Sequence, residues 1–178
     1  LSFPNLLIGG VGFRGQIYIV KIPLIFRSTK VNLHDFIEIE YSELALMHNV
    51  YYEQYQRAIY TICDLYDIAF GIDDIIQEKI SNENLTYWLE MVLSSIMSTA
   101  LTLKEENNLN NAIQSSLLSI ELAVKSSLLY LGCDYEHITS LRHSKKKIKE
   151  NLISYKIINE NDDFFEIYDS LPEYVDAR

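Results

Sequence analysis

Arg142, Lys145, Lys146, Lys147, Lys149 and Lys156 are six of the fifteen basic residues in the chain, gathered into one short stretch. Clustered ammonium and guanidinium groups attract phosphate, so in an acidic chain this local reversal of sign reads as an anion-binding face. A solvated helix face is the alternative, and three successive lysines point around more than half a helical turn, so they do not all face one ligand. His143 stands beside the run, just before Ser144, where a helix is predicted to start. An imidazole there meets the partial positive charge of the helix N-terminus, which favours the neutral, hydrogen-bonding ring. Arg142, His143, Lys145, Lys146 and Lys149 are therefore the candidate anion- or nucleic-acid-binding residues.

Other groupings carry less chemistry. Gly9-Gly10-Val11-Gly12-Phe13-Arg14-Gly15 has the look of a phosphate loop, but it lacks the Gly-Lys-Ser/Thr ending, and an apolar run follows it instead of a helix start. It reads as the loose turn of a β-hairpin. Asp73-Asp74 with Glu78 has the carboxylates to hold a hard cation, yet no second acidic motif accompanies them, and a solvated helix start is the simpler reading. His34, His48, His137 and His143 form no Glu-x-x-His pair, so a di-iron bundle site is rejected and no metal or cofactor is expected. The thirteen tyrosines read as packing residues with polar tips, not as a base-stacking platform.

The elements that must position these residues follow from composition and periodicity. A chain of 178 residues that is 48% apolar, with six glycines and three prolines, suits one compact body with a real core. Its net charge of −10 excludes a general nucleic-acid coating protein, so any such contact is local. Cys63 and Cys133 lie far apart and suggest neither a disulfide scaffold nor a zinc site, which fits a reducing cytoplasm. The longest apolar run, Ile17 to Phe26, is too short to cross a bilayer and contains Lys21 and Pro23, so no membrane association is expected. The start at Leu1 and the stop at Arg178 in mid-pattern suggest a natural protein that extends at both ends.

Residues 1–30 read as an N-terminal β element and 31–178 as a helical bundle. Leu33, Ile37, Tyr41, Leu44, Tyr51, Tyr55, Ile59, Ile62, Leu65 and Ala69 predict one long helix or two nearly collinear ones, ending near Gly71. Leu85, Leu89, Val92, Ile96, Ala100 and Leu103 predict a second helix. The clearest stripe, Ile113, Leu117, Ile120, Val124, Leu128 and Leu131, predicts a third over Leu109 to Leu131, with Gly132 just past its end. Ser144 caps a basic helix carrying Ile148, Leu152 and Tyr155, and Phe164 to Tyr168 starts another. Ser170-Leu171-Pro172-Glu173 has the form of a capping box, predicting a helix that runs on past Arg178. The economical architecture is an all-α, antiparallel four- or five-helix bundle with a small N-terminal β-hairpin.

Within it, Ala112, then Glu121-Leu-Ala-Val-Lys125-Ser-Ser-Leu-Leu-Tyr-Leu-Gly132, then His143-Ser144 opening a helix, then Tyr174-Val-Asp-Ala-Arg178, resembles the HEPN family of helical domains over residues 110–178. Glu121, Lys125, Tyr174 and Arg178 are the family-motif residues. By spacing alone, Glu121 and Lys125 form an i,i+4 pair in the favourable orientation, worth a few tenths of a kcal/mol on an exposed face. The resemblance implies a helical, homodimeric binding subunit for a nucleotide, RNA or a nucleotidyltransferase partner, in a toxin–antitoxin or defence-type system. It implies as an alternative a metal-independent ribonuclease using Arg-x4–6-His. Arg27 and His34 satisfy that expression but precede the first helix, and Arg142-His143 are adjacent and do not fit it. A structural interaction domain without ligand is the third reading.

Overall fold

The computed structural model describes residues 5–24, 30, 32–79, 82–105, 109–159 and 163–172. Helix makes up 70% of them, in seven α-helices, and a two-stranded antiparallel hairpin stands at the N-terminal end. Strands β1 (Asn5–Phe13) and β2 (Gln16–Pro23) pair with Gly10 opposite Ile19 and Phe13 opposite Gln16. Only Arg14 and Gly15 connect them, with φ of 50° and 78°. A two-residue turn with both φ positive matches the right-handed twist of the strands, so the turn is tight. The expected loose glycine turn is corrected: Gly9, Gly10 and Gly12 lie inside β1. Their smallness has another use. A Cβ on Gly9 would stand 2.5 Å from Leu65 Cδ1, and one on Gly10 would stand 3.0 Å from Ile17 Cγ2 and 3.4 Å from Ala100 Cβ. The glycines let the strand backbone lie directly against two helices.

Ile37 bridges Val20, with Lys21 N–H donating to Phe36 O and Glu38 N–H to Ile19 O. Leu33 begins a 3-10 turn, Leu33–Asp35, so neither Leu33 nor Ile37 belongs to the first helix as their spacing predicted. The apolar face of the hairpin takes Phe36 and Ile37 as cover instead.

Helices α1 (Tyr41–Val50) and α2 (Tyr52–Glu78) are separated at Tyr51, whose φ of −117° and ψ of 53° leave the helical region. Gly71 does not end α2. One glycine costs a helix about 1 kcal/mol; burying Ile72 beyond it, with Ile75 and Ile76 packed on the core, outweighs that. Asp73 and Asp74 are consequently inside α2 near its C-terminal end, not at a helix start. Asn82 caps α3 (Glu83–Lys104) by accepting the Leu85 N–H at 3.1 Å.

Helix α4 (Leu109–Tyr130) runs antiparallel to α3, with the Ser98 and Ser115 hydroxyls 3.3 Å apart and those of Thr99 and Ser116 3.5 Å apart. Its stripe is only partly enclosed: Leu117, Val124 and Leu128 are buried, whereas Ile113 and Ile120 are half-buried. It ends as predicted at Gly132, φ 88°, with Gly132 N–H on Leu129 O and Cys133 N–H on Leu128 O. Short α5 (Tyr135–Ser140) is capped by Asp134, and α6 (Lys145–Ser154) by Ser144, which accepts Lys147 N–H at 3.4 Å. Ile148 and Leu152 of α6 are buried as predicted, but Tyr155 lies exposed past its end. Helix α7 (Asp163–Ser170) buries Phe165 and Tyr168.

The core has two parts. Hairpin, α1 and much of α2 enclose one; the end of α2 with α3 to α7 encloses the other, and Leu93 and Ile96 of α3 pack against both. Among the described residues no helix is long and apolar enough to cross a membrane.

Candidate functional site around Glu121 and His143

Glu121 and Lys125 stand one turn apart on α4, and their side chains are only 8% and 9% exposed. The expected surface pair is therefore corrected to a buried one. The cause is tertiary: after the Gly132 turn the chain returns through α5, and the Leu141–Ser144 link lies over this face of α4, as the hydrogen bonds below show. Arg142 takes a left-handed conformation, φ 49°, uncommon for a residue with a side chain. Its carbonyl accepts from Lys125 Nζ at 2.6 Å, while the same ammonium meets Glu121 Oε1 at 2.6 Å.

The second carboxylate oxygen, Glu121 Oε2, lies 2.9 Å from His143 Nδ1. A carboxylate paired with an ammonium accepts hydrogen bonds, so Nδ1 is the donor here. That fixes the tautomer and makes Nε2 the nitrogen that exchanges a proton or accepts a hydrogen bond. The imidazole is 47% exposed, so a group oriented from the interior reaches the surface. A cavity of about 20 Å³, room for one water, lies between Leu117, Glu121, His143, Lys145 and Tyr168.

The predicted cationic run divides in two. Lys145 Nζ donates to Leu171 O at 2.6 Å and sits 5.2 Å from the Tyr168 ring centroid. Lys149 pairs with Asp169 at 2.5 Å and lies over the Phe165 ring. Both hold α7 in place. Arg142, Lys146 and Lys147 are exposed beside His143 and have no side-chain partner among the described residues. Tyr174, Arg178 and Glu173 of the predicted capping box lie outside the described residues, as does Arg27.

The remaining histidines serve packing and local bonds: His137 Nε2 meets Asn151 Oδ1 at 2.9 Å, His48 packs edge-on against Tyr55, and His34 stacks on Tyr41. Among the described residues no three His, Cys, Asp or Glu side chains converge to hold a metal ion. Sequence reasoning missed the part played by the Arg142 carbonyl, since nothing in an arginine signals a left-handed backbone. It also missed Asp169, which carries no motif.

Comparison with protein-family models, curated proteins and solved structures finds no match.

Proposed function

We propose that the chain is a HEPN-like helical binding subunit for a nucleotide, RNA or a nucleotidyltransferase partner, acting as a homodimer in a toxin–antitoxin or defence-type system. The observation that supports it is the buried Glu121–Lys125 pair, which holds a half-exposed His143 beside the outward-facing Arg142, Lys146 and Lys147. An ion pair is an expensive way to fill a helix interface, and here it orients a hydrogen-bonding ring within a local cationic patch. Phosphate is the ligand chemistry such a patch favours.

The test is equilibrium binding of a labelled single-stranded RNA at about 50 and about 200 mM salt. Affinity is expected to fall as salt rises, because phosphate contacts release counterions. Charge reversal at Arg142, Lys146 and Lys147 should abolish binding without unfolding. Lys145 and Lys149 are unsuitable for this test because they hold α7. A parent protein that binds no RNA or mononucleotide at low salt removes the nucleotide and RNA arms and leaves a protein partner or the structural interaction reading.

The Glu121–His143 contact also favours a second reading, a metal-independent ribonuclease in which the oriented imidazole takes the 2′-hydroxyl proton. RNA cleavage in the presence of EDTA, lost in His143→Ala, would establish it.

A further inference from the structure

Helix α7 carries three acidic residues, Asp163, Glu166 and Asp169, and no basic one. Carboxylates suit the first turn of a helix, where the dipole is positive, but Asp169 stands in the last turn, where negative charge is disfavoured. Helix α6 supplies the reason for its place. Lys149 Nζ meets the Asp169 carboxylate at 2.5 Å, and Lys145 Nζ reaches the carbonyls of Leu171 at 2.6 Å and Asp169 at 3.4 Å. Lys145 and Lys149 are one turn apart on one face of α6. The end of α7 therefore lays a carboxylate and two carbonyl oxygens on that face, where a phosphate would lay its own oxygens. Through Tyr168 and Pro172 the same end bounds the small cavity at His143, leaving room for one water.

We propose that the polar end of α7, Asp169 to Pro172, masks the cationic site and gives way when RNA binds, so that Lys145 and Lys149 pass from α7 to phosphates. This rests on the binding reading above and adds a built-in competitor to it. Only the end of the helix has to yield. Phe165 and Tyr168 are buried and keep α7 seated, whereas the Asp169 side chain is 54% exposed and Pro172 is exposed. Exchanging one exposed ion pair for another costs little, because such a pair shifts an equilibrium by no more than about five-fold. The exchange also completes a surface. Lys145, Lys146 and Lys149 fall within about 100° of one another around α6, so with α7 displaced they form a single face, continued toward His143 by Arg142. Each added phosphate contact releases further counterions, which repays the opening.

Asp169→Asn and Glu166→Gln test the masking, since each removes one negative charge from α7 and only Asp169 touches a lysine among the described residues. Labelled single-stranded RNA at about 50 mM salt is the probe. Asp169→Asn should bind it up to about five-fold more tightly than the parent, and Glu166→Gln should bind it like the parent, with both thermal transitions unchanged. Amide hydrogen exchange on the parent needs no variant: residues 169–171 should exchange faster with RNA bound, while Phe165 stays protected. Equal affinity in the parent and Asp169→Asn, equal gains in both variants, or exchange at 169–171 that RNA leaves unchanged or slows would overturn the masking and leave the binding reading standing. RNA that binds neither the parent nor Asp169→Asn overturns the RNA reading and the masking together, whereas RNA that binds Asp169→Asn alone supports both.

Discussion

Glu121 is a carboxylate inside a helical interface, and it is tolerated there because each oxygen has a partner, Lys125 on one and His143 on the other. Removing one member of such a buried pair is worse than removing both, because the survivor is left charged and unsolvated. Lys125→Met should therefore lower unfolding free energy by about 3 kcal/mol, measured by urea denaturation, and Glu121→Leu/Lys125→Met should recover most of the loss. A single variant as stable as the parent would mean that water reaches Glu121. Tyr18 poses the same question with an ionisable hydroxyl. It is buried on β2 and donates to Glu43 of α1 at 2.9 Å; burial first, then the bond to Glu43, raise its pKa above the ordinary 10.0. A folded pKa above the unfolded value gives stability that is complete below pH 10 and is lost as pH climbs through the folded value. Stability should thus decline above about pH 10, and Tyr18→Phe should remove the part of that decline owed to this group.

At the scale of elements, the hairpin depends on where its glycines are. Gly9 faces Leu65 so closely that Gly9→Val requires the buried Leu65 side chain or the strand to shift, and a loss of about 2 kcal/mol is expected. Gly12 has only Ile17 Cδ1 at 3.7 Å, an ordinary contact, so Gly12→Ala should be neutral or stabilise by about 0.5 kcal/mol. Thermal denaturation of both variants distinguishes close packing of β1 from mere turn flexibility, which predicts similar effects at the two sites. The link after β2 is fastened at Glu38, which meets Lys21 and Lys104 and is held below the ordinary carboxylate range chiefly by its bond to Lys21. All three side chains are nearly half exposed, so this fastening adds little to stability in salt.

Across the whole molecule, two apolar cores share α3, and Leu93 and Ile96 are the side chains that pack on both. Cooperative unfolding needs that coupling, because each core alone is small. The parent should unfold in one transition, whereas Leu93→Ala/Ile96→Ala should broaden it or split it in two, with amide hydrogen exchange of the hairpin and tryptophan fluorescence from Trp88 no longer reporting the same opening. A sharp, coincident transition in the double variant would place the coupling elsewhere, for instance in the continuity of α2.

Much of this molecule was legible in its residues alone. The third stripe became α4, Gly132 its left-handed end, Ser144 a cap, and the first run of β-branched residues a hairpin, because each depends on neighbours within a few positions. Tertiary structure decided where local preference was weak or overruled. Gly71 stayed helical because Ile72, Ile75 and Ile76 pack on the core; Gly9 and Gly10 became strand because a helix lies against them. Glu121 and Lys125 have the spacing of any surface pair, and only the chain crossing at Arg142 and His143 makes them buried partners. A lysine in the 142–156 run carries the same charge whether it faces solvent or grips Asp169, and that choice belongs to the placement of α7. Local pattern sets which segments are helix or strand, because those energies are short-ranged. Burial of a charge depends on which distant segment covers it, and that is settled only when the chain closes on itself.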